Sequence, residues 1–283
     1  ESDGALYVHL FDGRSFGESV RFARKITYEN FPLVNTWGAY QCYGDPFYTL
    51  RNSTGNKKIQ KEHYYDIIEA VNRLETFISK LEAATGRMGD KQLEKLILEL
   101  EAIIEAVAEQ PEWKEDAGVL SLIGDAYKEL DQMDKAIFYY EQLFSLENSR
   151  YSFHTVEQYC NSNIRYTVDC IDDLFAQNGT VDKDKLEEAY TTIEAMIVQL
   201  QGLGVAKTSE RLSVLASAYK AKATLDLYDK EKIADNFDNL VKAAGYYRQS
   251  FEQFRKAKGK IYHYPLYNWL QLATVLHSVL TED

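Results

Sequence analysis

The chain has 283 residues, an apolar fraction of 45% and 21 tyrosines, enough to bury a core and too aromatic for a disordered segment. Its 44 acidic side chains outnumber 32 basic ones, and the formal charge of -12 argues against nucleic acid as a partner. Three cysteines without a Cys-x-x-Cys pair exclude a disulfide framework and a structural zinc site, and no apolar run nears the ~18 residues of a membrane span.

Residues 3–11 are expected to form a short helix, with a turn at Asp12-Gly13. Ser15-Phe16-Gly17-Glu18 has the form of a capping box, in which each end satisfies the other's backbone N–H. It opens a helix whose apolar face runs through Phe16, Val20, Ala23, Ile26 and Thr27, and Phe31-Pro32 ends it. The alternating run from Asn35 to Tyr43 predicts one β-strand, closed by a turn at Gly44-Asp45-Pro46. A lone strand leaves its backbone groups unpaired, so the rest of its sheet has to come from elsewhere. Residues 51–58, RNSTGNKK, are polar and aperiodic and predict a linker. Helices are then predicted over 59–84, 91–109, 115–130, 135–146, 156–177, 183–201, 209–228, 232–256 and 266–280. Short connections make neighbours antiparallel. The predicted fold is mainly α: a stack of helical hairpins over 59–283, preceded over 1–50 by a helix-helix-strand segment.

Within the stack, Leu120 to Asn148 reads LSLIGDAYKELDQMDKAIFYYEQLFSLEN. Leu120, Ile123, Gly124 and Tyr127 on one helix, and Ala136 and Tyr140 on the next, resemble a tetratricopeptide repeat. Small Gly124 and Ala136 suit a close helix crossing, with the tyrosines filling the space beside it. Asp131 departs from the pattern where the turn usually has Gly, Leu143 where a small residue is usual, and Asn148 where Pro is usual. A looser copy places Leu212, Leu215, Ala216 and Tyr219 on a first helix and Ala243, Tyr247 and Ser250 on a second, with an extended segment between them. Such a solenoid implies a binding surface on its concave face. The first-helix residues off the packing face are Ser121, Asp125 and Lys128 in the good copy, and Ser213, Ser217 and Lys220 in the looser one. These six are the candidate contacts for a protein or peptide partner, against the plainer reading of a solvated face.

The first 50 residues carry a second resemblance. His9 to Arg24 (HLFDGRSFGESVRFAR) and Asn35 to Leu50 (NTWGAYQCYGDPFYTL) are similar to the carboxyl-terminal end of a CHAT domain, the caspase-like and separase-like cysteine peptidase module. The resemblance implies that this segment is the last helix and strand of an α/β sandwich whose sheet lies upstream. It also implies that the catalytic His and Cys are upstream, since no position here matches either. Cys42 reads as a buried strand cysteine rather than a nucleophile.

Other constellations are weaker. His63 with Glu62 and Asp66 lacks a second His at i+4 and reads as a solvated helix start rather than a metal trio. Gly202-Leu203-Gly204 joins two helices and is no dinucleotide loop. No cofactor or metal is expected. The leading reading is the non-catalytic part of a CHAT-type cysteine peptidase, bacterial and cytoplasmic, with the helical array as the sensor or scaffold that regulates it. Its partners would be a protein bound on the array and the upstream catalytic half. The rival is a stand-alone adaptor with a degenerate CHAT remnant. No signal peptide is legible, and because Glu1 is not an initiator methionine, a processed chain or part of a longer one is expected.

Overall fold

The computed structural model describes residues 6–7, 9–10, 13–31, 45–49, 62–83, 89–147, 149–204, 208–229 and 231–281. The chain divides into two units, Glu1–Gln60 and Lys61–Asp283.

In the first unit the capping box forms as its residue types require. Ser15 Oγ accepts from the Glu18 N–H and the Glu18 carboxylate accepts from the Ser15 N–H, opening helix α1 (Phe16–Asn30). The start of α1 is tied to the turn after the expected strand. Phe16 and Gly17 donate their N–H groups to Tyr48 O and Pro46 O, and Ser15 pairs with Thr49 in an antiparallel bridge. Gly17 is needed there, because a Cβ would stand 3.0 Å from Pro46 O. The His9 ring stacks on Phe22 at 3.6 Å. No strand occurs among the described residues. The strand expected over 35–43, and Cys42 with it, lie outside them.

The second unit is a run of helices: α2 (Ile67–Ala83), α3 (Asp90–Ala108), α4 (Pro111–Lys114), α5 (Ala117–Glu129), α6 (Met133–Ser145), α7 (Phe153–Asn178), α8 (Lys183–Gly202), α9 (Ser209–Asp226), α10 (Ile233–Lys258) and α11 (His263–Thr281). Side-chain acceptors at Asp116, Ser152, Asp182 and Thr208 cap α5, α7, α8 and α9, each satisfying one of the backbone donors a helix start leaves open. Several expected boundaries move for this reason. Residues 59–61 of the helix expected from 59 lie outside the described residues, and among the described ones it begins at Ile67, where Asp66 accepts from the Glu69 N–H and Glu69 reaches back to the Tyr65 N–H. The helix expected from 156 begins at Phe153, behind the Ser152 cap. The short α4, opened by Pro111, was not expected.

The hairpins are α2–α3, α5–α6, α7–α8 and α9–α10, followed by α11. First helices pack on first helices (α2 on α5, α5 on α7, α7 on α9), while α6, α8 and α10 each pack on the first helix that follows. The cores are continuous: Phe144 and Tyr159 border both the first and the second, and Tyr219 and Tyr246 both the second and the third.

The good copy of the repeat packs as its pattern implies, with one difference. Ile123, Gly124, Tyr127, Ala136 and Tyr140 are buried. What presses on Gly124 is the ring of Tyr140, whose Cε1 would lie 2.6 Å from an added Cβ. Ala136 was expected to face Gly124, but the three atoms nearest to that Cβ all belong to Tyr140. At the turn, Asp131 takes φ = 61°, the left-handed conformation a glycine would adopt without strain. In the looser copy Leu212, Leu215, Ala216, Ala243, Tyr247 and Ser250 are all buried. The extra length between its halves lies largely in the helices: α9 and α10 have 18 and 26 residues, where α5 and α6 have 13 each.

Candidate binding face of the first-helix layer

Three successive first helices, α5, α7 and α9, contribute one polar network. Asp125 on α5 accepts from Tyr140 Oη at 2.6 Å, and its burial raises its pKa above the ordinary aspartate value. One turn on, Lys128 Nζ donates to Gln158 Oε1 of α7 at 2.9 Å, and Gln158 donates in turn to Glu210 of α9. The other oxygen of Glu210 meets His154 Nδ1 at 3.3 Å. That contact holds Glu210 below the usual carboxylate range and raises His154, each mainly through their shared hydrogen bond. Phe153 and His154 are exposed, so the network opens to solvent.

Beneath it lies a buried ion pair. Arg211 Nε donates to Glu157 Oε1 at 2.8 Å, with both side chains almost fully excluded from water (2% and 3% exposed). Thr208, the cap of α9, also donates to Glu157 Oε1, and Arg211 Nη1 donates to Leu203 O. The Arg211 guanidinium lies 5.5 Å from the Phe153 ring centre, a cation–π distance. A buried pair of this kind contributes little net stability, because desolvation offsets the Coulomb gain. It joins the start of α7 to the start of α9.

The six residues singled out from the sequence are all tied to neighbouring side chains, and all but the exposed Lys220 are buried or half-buried. Ser121 meets Thr155 at 3.1 Å, and Asp125 and Lys128 enter the network above. In the looser copy, Ser213 meets Ser250 at 2.8 Å and is buried. Ser217 meets Tyr247 Oη and Tyr264 Oη, and Lys220 Nζ donates to Asn268 Oδ1 at 3.1 Å. The two copies correspond at two of the three positions, while Ser121 bonds the next first helix and Ser213 its own second helix. Asp125 and Ser217 both bond the tyrosine of their own second helix, and Lys128 and Lys220 both bond an amide on the next first helix. His154, Gln158, Glu157, Glu210 and Arg211 escaped sequence reasoning. They sit at the starts of α7 and α9, outside the repeat positions, and only stacking brings them together.

His154, Glu157 and Glu210 bring three ligand-type atoms within 4.8 Å of one another. Glu157 is already committed to Arg211 and Thr208, and Lys128 and Arg211 put two cations beside the cluster. The geometry is that of a charge network rather than a metal centre. Around His63 the charges go elsewhere: His63 meets Glu109, Arg73 holds Glu62, and Asp66 caps α2.

Stacked hairpins with a small residue under a tyrosine, coupled first helix to first helix, define an array of the tetratricopeptide type. The family model described as Tetratricopeptide Repeats-Sensor matches residues 154–273, from the first turn of α7 to the middle of α11. Over these residues the array is similar to a helical repeat of the tetratricopeptide type. No curated protein and no solved structure matches the chain. No described helix is long and apolar enough to cross a membrane.

Proposed function

We propose that the helical array is a sensing arm that takes a protein segment on its first-helix layer and thereby regulates a CHAT-type cysteine peptidase, whose catalytic residues lie upstream of this chain. The observation that carries the sensing role is the network from Lys128 through Gln158 to Glu210 and His154. It spans three hairpins, ends on exposed Phe153 and His154, and is anchored by a buried ion pair of little net benefit to stability. A ligand touching those exposed groups perturbs contacts that join three repeats. The peptidase link rests on the CHAT-like residues of 1–50. Cys160 suits a non-catalytic role: it is buried and its thiol is pushed up to about 12, far from a thiolate at neutral pH.

Two measurements test the two parts separately. Peptides selected from a displayed library against the full chain should lose at least about tenfold in affinity on Lys128→Ala or Glu210→Ala, since ligand contacts of this class are worth ~1–3 kcal/mol. Selected peptides insensitive to both variants would remove the first-helix layer as the site. Separately, the chain mixed with an upstream CHAT half should form a stable complex by light scattering. Absence of a complex would remove the peptidase link while leaving the sensing face intact.

A further inference from the structure

A groove of about 600 Å3 runs between α7 and α8, with Tyr166, Thr167, Cys170 and Leu174 on one wall and Ala189 and Thr192 on the other. Its origin is a difference in helix length. α7 has 26 residues and α8 has 20, while the preceding α5 and α6 have 13 each. α6 covers the amino-terminal half of α7, where Phe144 packs edge-on against Tyr159. The α5–α6 turn reaches as far as Arg165, held by Asp131 at 2.6 Å. Past that point α7 continues from Tyr166 to Asn178, about 20 Å at ~1.5 Å per residue, with no helix of that hairpin over it.

The rim is acidic. Asp173 from α7 and the Lys185–Glu188 pair from α8 border the groove, and Asp169 stands one turn before Asp173 on the exposed side of α7. The two nearby cations are committed, Arg165 to Asp131 and Lys185 to Glu188 at 2.8 Å. Asp169 and Asp173 have no ion-pair partner among the described residues. Asp169 is raised above the ordinary aspartate value mainly by its partial burial, with nearby Arg165 pulling it down and Asp131, Asp172 and Asp173 pushing it up.

We propose that this groove docks a cationic amphipathic helix of a partner protein, about three turns long, with its apolar stripe against Cys170, Leu174 and Ala189 and its basic residues over Asp169 and Asp173. α6 already seats a helix on α7, and the groove continues that interface past the end of the α5–α6 hairpin. An apolar floor with an unpaired acidic rim selects for basic flanks and against acidic ones. The site is separate from the first-helix network and does not depend on the peptidase reading.

The test uses the full chain carrying Cys42→Ala, so that half-buried Cys170 is the reactive thiol and buried Cys160 stays inert. The probe is a fluorescent Leu/Lys amphipathic helix of about 14 residues, compared by anisotropy with a Leu/Glu helix of the same apolar face at ~0.15 M salt. The Leu/Lys helix should bind at least about tenfold tighter, and Asp169→Lys with Asp173→Lys should remove that preference. Glu94→Lys with Glu105→Lys, exposed positions on α3, makes the same change in net charge and should leave affinity within about twofold. Bound peptide should slow alkylation of Cys170. The proposal falls if the Leu/Lys helix does not bind, if both charge-reversed variants weaken it equally, or if Cys170 reacts at the same rate with peptide bound.

Discussion

Replacing Gly124 by alanine sets two effects of known size against each other. In an exposed helix interior, alanine gains about 0.8–1 kcal/mol over glycine from backbone entropy. Here the new Cβ would stand 2.6 Å from Tyr140 Cε1 and 2.9 Å from Cδ1 and Cζ. Those distances are too short to tolerate, so the ring or α6 has to shift. The ring cannot swing aside freely. Tyr140 is fully buried and its hydroxyl is fixed to Asp125 at 2.6 Å, so moving it strains or breaks a bond to a carboxylate that burial has already made costly. Overpacking of this kind costs ~1–3 kcal/mol, so the net expectation is a loss of up to about 2 kcal/mol. Urea titration followed by amide exchange in α5 and α6 reads the effect locally. Tyr140→Leu should relieve the clash, so the double variant should be less destabilised than the sum of the singles by ~0.5–3 kcal/mol. A gain of stability in Gly124→Ala, or strict additivity in the cycle, would refute the close approach.

The remaining predictions concern the turn and the network. Asp131→Gly should raise the melting temperature slightly, because relief of the left-handed backbone outweighs loss of an exposed pair with Arg165 worth ~0–1 kcal/mol; Asp131→Ala should lower it. Arg211→Met should cost ~3–5 kcal/mol by stranding the buried Glu157 charge, and adding Glu157→Leu should restore much of that loss in thermal unfolding. His154 has a raised folded pKa, so its contribution is complete below its ordinary value near 6.5 and is lost as pH rises through the folded value. Glu210 has a lowered one, so its contribution is complete above 4.5 and is lost as pH falls through the folded value. Stability from this pair should therefore peak between about pH 4.5 and 6.5, and His154→Gln should flatten the alkaline side of a melting-temperature profile.

The sequence by itself determined what is local. Capping at Ser15, the helical periodicity of the array, and the small-residue and tyrosine spacing of the good copy all depend on residues within one helix or one hairpin. Each could be read without knowing what lies next door. Even the Asp131 departure was legible as a turn position wanting glycine, and the backbone there takes the conformation a glycine would. What stacking places together was not legible. Ser121, Asp125 and Lys128 are off the packing face of their own hairpin, which a linear reading equates with solvent. In the tertiary structure the next first helix lands beside them, and Ser121 and Lys128 become inter-repeat contacts while Asp125 bonds Tyr140 of its own hairpin. His154, Glu157 and Glu210 meet only because α7 and α9 lie side by side, more than fifty residues apart in sequence. The groove on α7 and α8 likewise follows from neither hairpin alone. It exists because a helix of 26 residues stacks on a hairpin of 13-residue helices, and a mismatch between neighbours becomes an opening only once they are packed.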